Sequence, residues 1–226
     1  MASKQSSDAV SPNISRQLSN EELLKTHEGK LQIKIKRINK IIKSASMYDS
    51  YVWGSYVRNV LIPLSKQQKV TSVDDLVCLR FPNHEQFMSF LCDKNIMITN
   101  VEQTPRNEPE YDLYIKGSRN DGVRYQITIS PHGLIVDVDI NQLIATINRD
   151  NVIVFDCTDD SLTISTLIQN IIEKRVKFRS ACYKAGMLSN IVNHVLQRSI
   201  EKYISEGWTL DQSEMPKNYQ PPDNTD

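Results

Sequence analysis

The stretch Tyr51-Val-Trp-Gly-Ser-Tyr-Val-Arg58 gives the clearest indication of a fold, because its character changes abruptly from strand-like to helix-like. Three apolar or aromatic residues come first, Gly54-Ser55 follows, and Val57, Val60 and Leu61 then recur at helical spacing. Strand, tight turn and helix are predicted in that order. The first N–H groups of such a helix lack intrahelical partners and favour a phosphate. The alternative is that Gly54 makes the turn and Ser55 only caps the helix.

Composition and charge limit the class of protein. The chain has 226 residues, of which 39% are hydrophobic, so one domain with a small appendage is expected. The 27 basic and 27 acidic side chains balance, so nucleic-acid contact would have to come from local basic patches. Neither a signal peptide nor a long apolar run is evident, which predicts a soluble intracellular, cytoplasmic protein with no membrane partner. The scattered cysteines indicate reduced thiols: Cys78, Cys92, Cys157 and Cys182.

The N-terminal part is predicted to hold a basic amphipathic helix. Residues 1–18 are polar and expected to be disordered, and Ser19–Glu22 forms a capping box that announces the helix. Apolar residues recur at helical spacing as far as Ile42, and the remaining positions are largely basic. Such a face suits a phosphate backbone, although a solvated helix face also explains it. The candidate nucleic-acid contacts here are Lys34, Arg37 and Lys40.

The middle and C-terminal parts predict an α+β fold, with a mixed or antiparallel sheet backed by helices and a C-terminal helical pair. Predicted strands are Leu76–Phe81, Ile96–Val101, Tyr111–Lys116, Val123–Ser130, Leu134–Ile140 and Val152–Phe155. Two amphipathic helices, Thr163–Lys184 and Leu188–Ser205, follow, and the first carries the further candidate nucleic-acid contacts Lys174 and Lys177. The predicted divisions are a domain at 19–160, a helical hairpin at 161–210 and a disordered tail at 211–226.

Asp137 and Asp139 suggest a metal site. They lie two apart in a predicted strand, so both side chains would emerge on one face. Paired carboxylates repel unless a cation lies between them, and Mg²⁺ bridges carboxylates to substrate phosphates. Asp75, at the entry to the first buried strand, is the candidate third ligand. The alternative is that Asp137 and Asp139 occupy the solvent face of an antiparallel sheet.

These features together resemble the nucleotidyltransferase superfamily, which includes CCA-adding enzymes and poly(A) polymerases. The run Gly54-Ser-Tyr-Val-Arg-Asn-Val-Leu61 is similar to the Gly-Gly-x-Val-Arg-Asp-x-Leu run of the CCA-adding branch. The resemblance covers roughly Tyr51–Ile140, with a weaker echo to Trp208, and extends to uncharacterised nucleotidyltransferase-like proteins of giant DNA viruses, which would place the chain in a host cytoplasm. It implies an NTP ligand and Mg²⁺, with nucleotide contacts from Gly54, Ser55 and Arg58 and catalytic metal ligands Asp75, Asp137 and Asp139.

The sequence also departs from this pattern. The family places two acids at i and i+2 on one strand, whereas the residue two after Asp75 is Val77, and Asn59 stands at the position of the family's Arg-Asp acid. Loss of a metal ligand removes electrostatic stabilisation on which phosphoryl transfer depends. The leading hypothesis is therefore a catalytically degenerate protein that binds nucleotide, RNA or another protein. The alternatives are an active Mg²⁺-dependent enzyme that moves NMP from NTP to an RNA end or other acceptor, and a ligand-free scaffold.

Overall fold

A computed structural model describes residues 26–74, 76–94, 98–103, 111–116, 123–129, 138–178, 200–211 and 213. Its helices are α1 (His27–Ser46), α2 (Ile62–Ser65), α3 (His84–Lys94) and α4 (Ile164–Ile172), with a π-helix at Val57–Leu61 and a 3₁₀-helix at Asp139–Gln142. The strands are β1 (Tyr51–Trp53), β2 (Leu76–Phe81), β3 (Ile98–Gln103), β4 (Tyr111–Lys116), β5 (Arg124–Ile129), β6 (Leu143–Ile147), β7 (Ile153–Cys157), β8 (Arg175–Lys177) and β9 (Thr209–Asp211).

Seven strands form one mixed sheet in the order β3-β4-β5-β2-β1-β6-β7. β2 and β5 are parallel, and the other neighbouring pairs are antiparallel. The parallel pair is possible because α3, β3 and β4 carry the chain back across the sheet between them. The predicted α+β class, with a mixed sheet backed by helices, is confirmed.

One hydrophobic core joins the helices to a single face of the sheet. Strand periodicity alternates side chains between the two faces, and the core face presents Val52, Val77, Leu79 and Ala145, none more than 1% exposed. α1 buries Ile35, Ile38, Ile42 and Ala45 against this face, as its helical spacing predicts. The same cluster includes side chains from beyond residue 160, among them Leu167, Val176 and Tyr203.

Helix α1 begins later than its first sequence signal. Thr26 is the N-cap and its hydroxyl accepts a hydrogen bond from the Gly29 N–H at 3.0 Å, so the helix starts at His27. The capping box at Ser19–Glu22 lies outside the described residues, as do residues 1–18 and most of the predicted tail at 211–226. Within the described chain no helix is both long and apolar enough to cross a bilayer.

Two predicted elements differ from the structure. The predicted strand Leu134–Ile140 does not reach its expected end: Val138 makes one bridge to Phe178, and a 3₁₀-helix starts at Asp139, while residues 134–137 lie outside the described residues. The predicted helix Thr163–Lys184 ends at Ile172, because Lys174 takes a left-handed conformation with φ of 50° and Arg175–Lys177 then form β8. Of the second predicted helix, only residues 200–205 are described, and these are helical.

Candidate functional site

The Gly54 turn has the predicted strand–turn–helix geometry. Gly54 follows β1 with φ of 78°, which a residue with a side chain adopts only at a cost. Ser55 and Tyr56 are already helical, and the Arg58 N–H donates to the Gly54 carbonyl at 3.3 Å. Ser55 is half-buried, and among the described contacts its hydroxyl makes no hydrogen bond. The described contacts therefore give no support to a capping role for Ser55, and its nucleotide contact stays a prediction.

Strand pairing brings several chain segments to one edge of the sheet. Trp53 lies opposite Cys78 of β2 and opposite Ile144 of β6, and both neighbours run antiparallel to β1. The end of β1 therefore lies beside the starts of β2 and β6, and the 3₁₀-helix immediately precedes β6. We call this edge, with the Gly54–Ser55 turn at its centre, the Gly54 edge.

The two faces of β2 differ at this edge. Cys78 is on the side of the turn, since a Cβ built on Gly54 would lie 3.9 Å from its Sγ. Val77 points to the opposite face and is fully buried in the hydrophobic core. The position two residues after Asp75 is therefore enclosed by apolar side chains. An acid there would lose its hydration without facing the Gly54 turn.

Along β1 and β2, the face that carries Cys78 also holds a buried aromatic–cation pair. The guanidinium of Arg80 lies 5.2 Å from the centre of the Tyr51 ring. Burial raises the pKa of the Tyr51 hydroxyl, and the nearby positive charge of Arg80 offsets part of that rise. This face is therefore more polar than the core face, although its described members are largely buried.

Arg58 is directed into the protein. Its side chain is 7% exposed, and the guanidinium Nη1 donates to Asn141 Oδ1 of the 3₁₀-helix. The same guanidinium lies 5.7 Å from the ring centre of Tyr203 and 5.9 Å from that of Trp208. These contacts tie the helix after Gly54 to the C-terminal segment. The nucleotide contact assigned to Arg58 from the sequence stays a prediction.

Asp139 is held by the protein itself. It is 3% exposed, Oδ2 accepts from Asn170 Nδ2 at 3.1 Å, and Oδ1 accepts from the backbone N–H of Lys177 at 2.8 Å. It begins a 3₁₀-helix, so the argument that Asp137 and Asp139 share a strand face is wrong for Asp139. Asp137 and Asp75 lie outside the described residues. The metal-ligand roles of all three stay predictions.

No group of three or more His, Cys, Asp or Glu side chains close enough to hold a metal ion occurs among the described residues. Of the three predicted Mg²⁺ ligands only Asp139 belongs to that part of the chain, and both its oxygens already accept protein hydrogen bonds. The described side chains therefore offer one engaged carboxylate and no complete ligand set.

The predicted nucleic-acid contacts lie on two different elements. On α1, Arg37 and Lys40 are exposed, while Lys34 Nζ reaches the Val73 carbonyl at 3.5 Å. A row of exposed positive charge on this helix is therefore present, and its partner stays a prediction.

The other two predicted contacts lie around β8 instead of on a helix. Lys174 Nζ donates to the Glu206 carbonyl at 2.7 Å. Lys177 lies near Asp211, whose pKa is lowered first by hydrogen bonds from Ser213 and also by the Lys177 charge. Both lysines therefore already contact the C-terminal segment, and β8 pairs in parallel with β9 of that segment.

Sequence reasoning did not identify Asn141, Asn170 and Tyr203 as residues of this region. They contact Arg58 or Asp139 from elements distant in the chain. Side-chain type and local spacing carry no signal for such long-range partners. A weak indication was available only for Asn141-Gln142, since Asn commonly precedes a change of backbone direction.

Comparison with known proteins finds no family and a distant structural similarity. No protein-family model matches the chain, and no curated protein matches it. A solved structure described as a tRNA-processing enzyme (apo form I) resembles it with a TM-score of 0.48 and 11% sequence identity. The alignment covers 80% of this chain and 44% of that one, so the chain spans less than half the length of that protein.

Proposed function

We propose that this chain is a nucleotide-binding protein of nucleotidyltransferase-like architecture in which the catalytic metal site is incomplete. The observation that carries the proposal is the Gly54 turn. A positive-φ glycine joins β1 to a helix, and the Ser55 hydroxyl beside the first helical N–H groups makes no described hydrogen bond. Unpaired backbone donors, a hydroxyl and the positive end of a helix together suit the phosphates of an NTP.

The incomplete metal site is supported by the faces of β2. The side that borders Gly54 carries Leu76 and Cys78, which are apolar or weakly polar, while Val77 lies in the core. No described residue of β2 therefore offers a carboxylate to the Gly54 edge. A nucleotidyltransferase needs paired acids to hold two metal ions for in-line attack on phosphorus. Nucleotide binding without transfer is the function that these side chains fit.

Active transfer of NMP from an NTP to an RNA end is the second candidate function. It is favoured by position in the sequence: Asp75 immediately precedes β2, and Asp137 immediately precedes the bridge residue Val138. In an active enzyme these two carboxylates, with Asp139, would hold Mg²⁺ and thereby neutralise charge on the transferred phosphate.

Isothermal titration calorimetry of the full chain tests nucleotide binding. Each of the four NTPs is titrated into the protein, once in buffer with EDTA and once in buffer with Mg²⁺. Loss of one hydroxyl donor to a phosphate is worth roughly 1–2 kcal/mol, so Ser55→Ala should weaken binding about tenfold. Ser72→Ala removes an exposed serine from the loop before β2 and serves as the matched control. An absence of heat with every NTP, or equal affinities for the two variants, would remove the proposal.

A radiolabelled-NTP assay with a short RNA acceptor and Mg²⁺ separates the two candidate functions. No incorporation is expected if the metal site is incomplete. Incorporation that disappears in both Asp75→Ala and Asp137→Ala would instead establish the active enzyme. Binding of the RNA alone is measured over a range of salt concentrations, because contacts from Lys34, Arg37 and Lys40 to phosphates would make affinity fall steeply with salt.

A further inference from the structure

A groove of about 780 Å³ lies between α1 and the far end of the β6–β7 hairpin, with Leu64 of α2 at one side. Ile147 and Asn151 line it, whereas the Gly54 edge adjoins Leu143 at the other end of β6. A strand advances about 3.3 Å per residue, so the groove begins roughly 13 Å along β6 from that edge. It is therefore separate from the candidate nucleotide site.

The groove exists because the described helices leave part of the edge strand uncovered. α1 packs on β1 and β6, and α4 approaches β6 and β7. β7 is the last strand of the sheet, and Ile153 at its start is only partly buried on the core face. Ile153 lines the groove together with Ile35 and Ile147, which gives the groove an aliphatic floor. An apolar strip beside a helix is a surface that another helix can cover.

One wall of the groove carries positive charge that no described residue of the chain pairs with an acid. Lys36, Lys40 and Lys43 of α1 line it at spacings of four and three residues, on one side of the helix. Lys43 Nζ donates to the Arg149 carbonyl at 2.6 Å and to Asn151 Oδ1 at 2.7 Å, and both acceptors are neutral. Lys36 and Lys40 are exposed, and neither makes an ion pair among the described residues.

We propose that this groove binds an acidic amphipathic helix of a partner protein. The backbone positions of the three lysines span about 10 Å of helix axis, which suits a row of carboxylates better than a single phosphate. Among the described residues that line the groove, none is acidic and none is aromatic. Single-stranded nucleic acid relies on aromatic rings for base stacking, so an aliphatic floor favours protein over RNA. The partner's apolar face covers Met47 and Ile153, which line the groove and keep exposed surface, and its carboxylates meet the lysines.

Fluorescence anisotropy with the full chain tests the proposal. The probe is a fluorescein-labelled sixteen-residue designed helix with leucines on one face and glutamates flanking them, compared with the same peptide carrying glutamines and with labelled U12 RNA. The acidic peptide should bind at least about tenfold more tightly than the glutamine peptide. Lys36→Glu with Lys40→Glu should weaken acidic-peptide binding about tenfold or more, because each reversal replaces attraction with repulsion.

Lys30→Glu is the matched control, since Lys30 is an exposed lysine of the same helix that does not line the groove. It should leave the affinity for the acidic peptide within about twofold. Thermal melts confirm that each variant is folded. Ile153→Asp provides a second variant that alters the floor without touching α1, and it should also weaken binding. The proposal would be overturned if the protein bound the two peptides with equal affinity. It would also be overturned if Lys30→Glu and the double variant changed the affinity for the acidic peptide equally, or if only U12 RNA bound in a way that depends on the groove.

Discussion

Arg58→Ala is predicted to lower the free energy of unfolding by about 3 kcal/mol. The Asn141 Oδ1 acceptor would lose a charged donor, at a cost of roughly 1–3 kcal/mol. Contacts of the guanidinium with the Tyr203 and Trp208 rings contribute about 0.5–1 kcal/mol each. Removal of the buried aliphatic part of the Arg58 side chain leaves a cavity, which destabilises the fold further. The variant no longer buries a positive charge, and this offsets part of the total loss of stability. For a chain of this size the melting temperature should fall by about 6–12 °C.

Urea denaturation followed by tryptophan fluorescence measures this change. Trp208 lies against both Arg58 and the Tyr203 ring, so its emission also reports on the local environment. Asn59→Ala, at the neighbouring exposed position, is the matched control and should change the free energy of unfolding by less than about 0.5 kcal/mol.

The same variant separates the two roles that Arg58 has been given. The first role is that its guanidinium holds the C-terminal segment. In that case the Arg58→Ala variant, measured at a low temperature at which it is folded, should bind NTP with an affinity within about threefold of that of the unsubstituted chain. This is a difference of less than about 1 kcal/mol in binding free energy. A loss of NTP binding with stability equal to that of Asn59→Ala would refute the structural role. Arg58 would then be a nucleotide ligand, as the sequence resemblance implies.

Three further predictions concern single side chains. Gly54→Ala should cost about 1–2 kcal/mol of stability through backbone strain alone, since its Cβ would meet only ordinary contact, and Gly54→Asn should cost less in the same urea assay. Asp139→Ala should cost about 2–4 kcal/mol in thermal melts with and without Mg²⁺, because it removes the carboxylate that accepts from the Lys177 N–H and from Asn170; equal stability would argue against its structural role. Burial raises the pKa of Tyr56 far above its ordinary value, so its neutral form stabilises the fold below pH 10 and that stability is lost as pH rises beyond it. In Tyr56→Phe the free energy of unfolding should therefore decrease less steeply above pH 10. An unchanged pH profile would contradict the explanation that ionisation of the buried Tyr56 causes this decrease.

Local patterns predicted β1, the Gly54 turn, the helix after it and β2, whereas β6, which also borders the Gly54 edge, was not predicted. Leu76–Phe81 is a strand with the predicted bounds, and its near-continuous apolar run is buried on both faces. The strand, Gly54 turn and helix also follow the predicted order. These features depend on hydrophobic periodicity and on the need for positive φ at one residue. Both can be recognised from residues that are close together in the sequence.

Elements decided by distant partners were not predictable in the same way. Ile172 and Val176 fit helical spacing, but Arg175-Val-Lys177 also fits strand alternation, and pairing with Thr209–Asp211 selects the strand. Asp139 follows an apolar alternating run, yet Asn170 and the Lys177 N–H hold it at the start of a 3₁₀-helix. In each case a contact far along the chain outweighs a small local preference.

The catalytic question depends on which face of β2 borders the Gly54 turn. In the sequence, Val77 stands two residues after Asp75, where the family pattern places its second acid. The pairing of Trp53 with Cys78 shows that the residues on the turn side are instead Leu76 and Cys78, in alternation. Val77 could not be replaced by a useful acid, because its face is filled by the core. Cys78→Asp would be the substitution that adds a carboxylate beside the turn, so the lack of an acid at Cys78 is the stronger argument for an incomplete metal site.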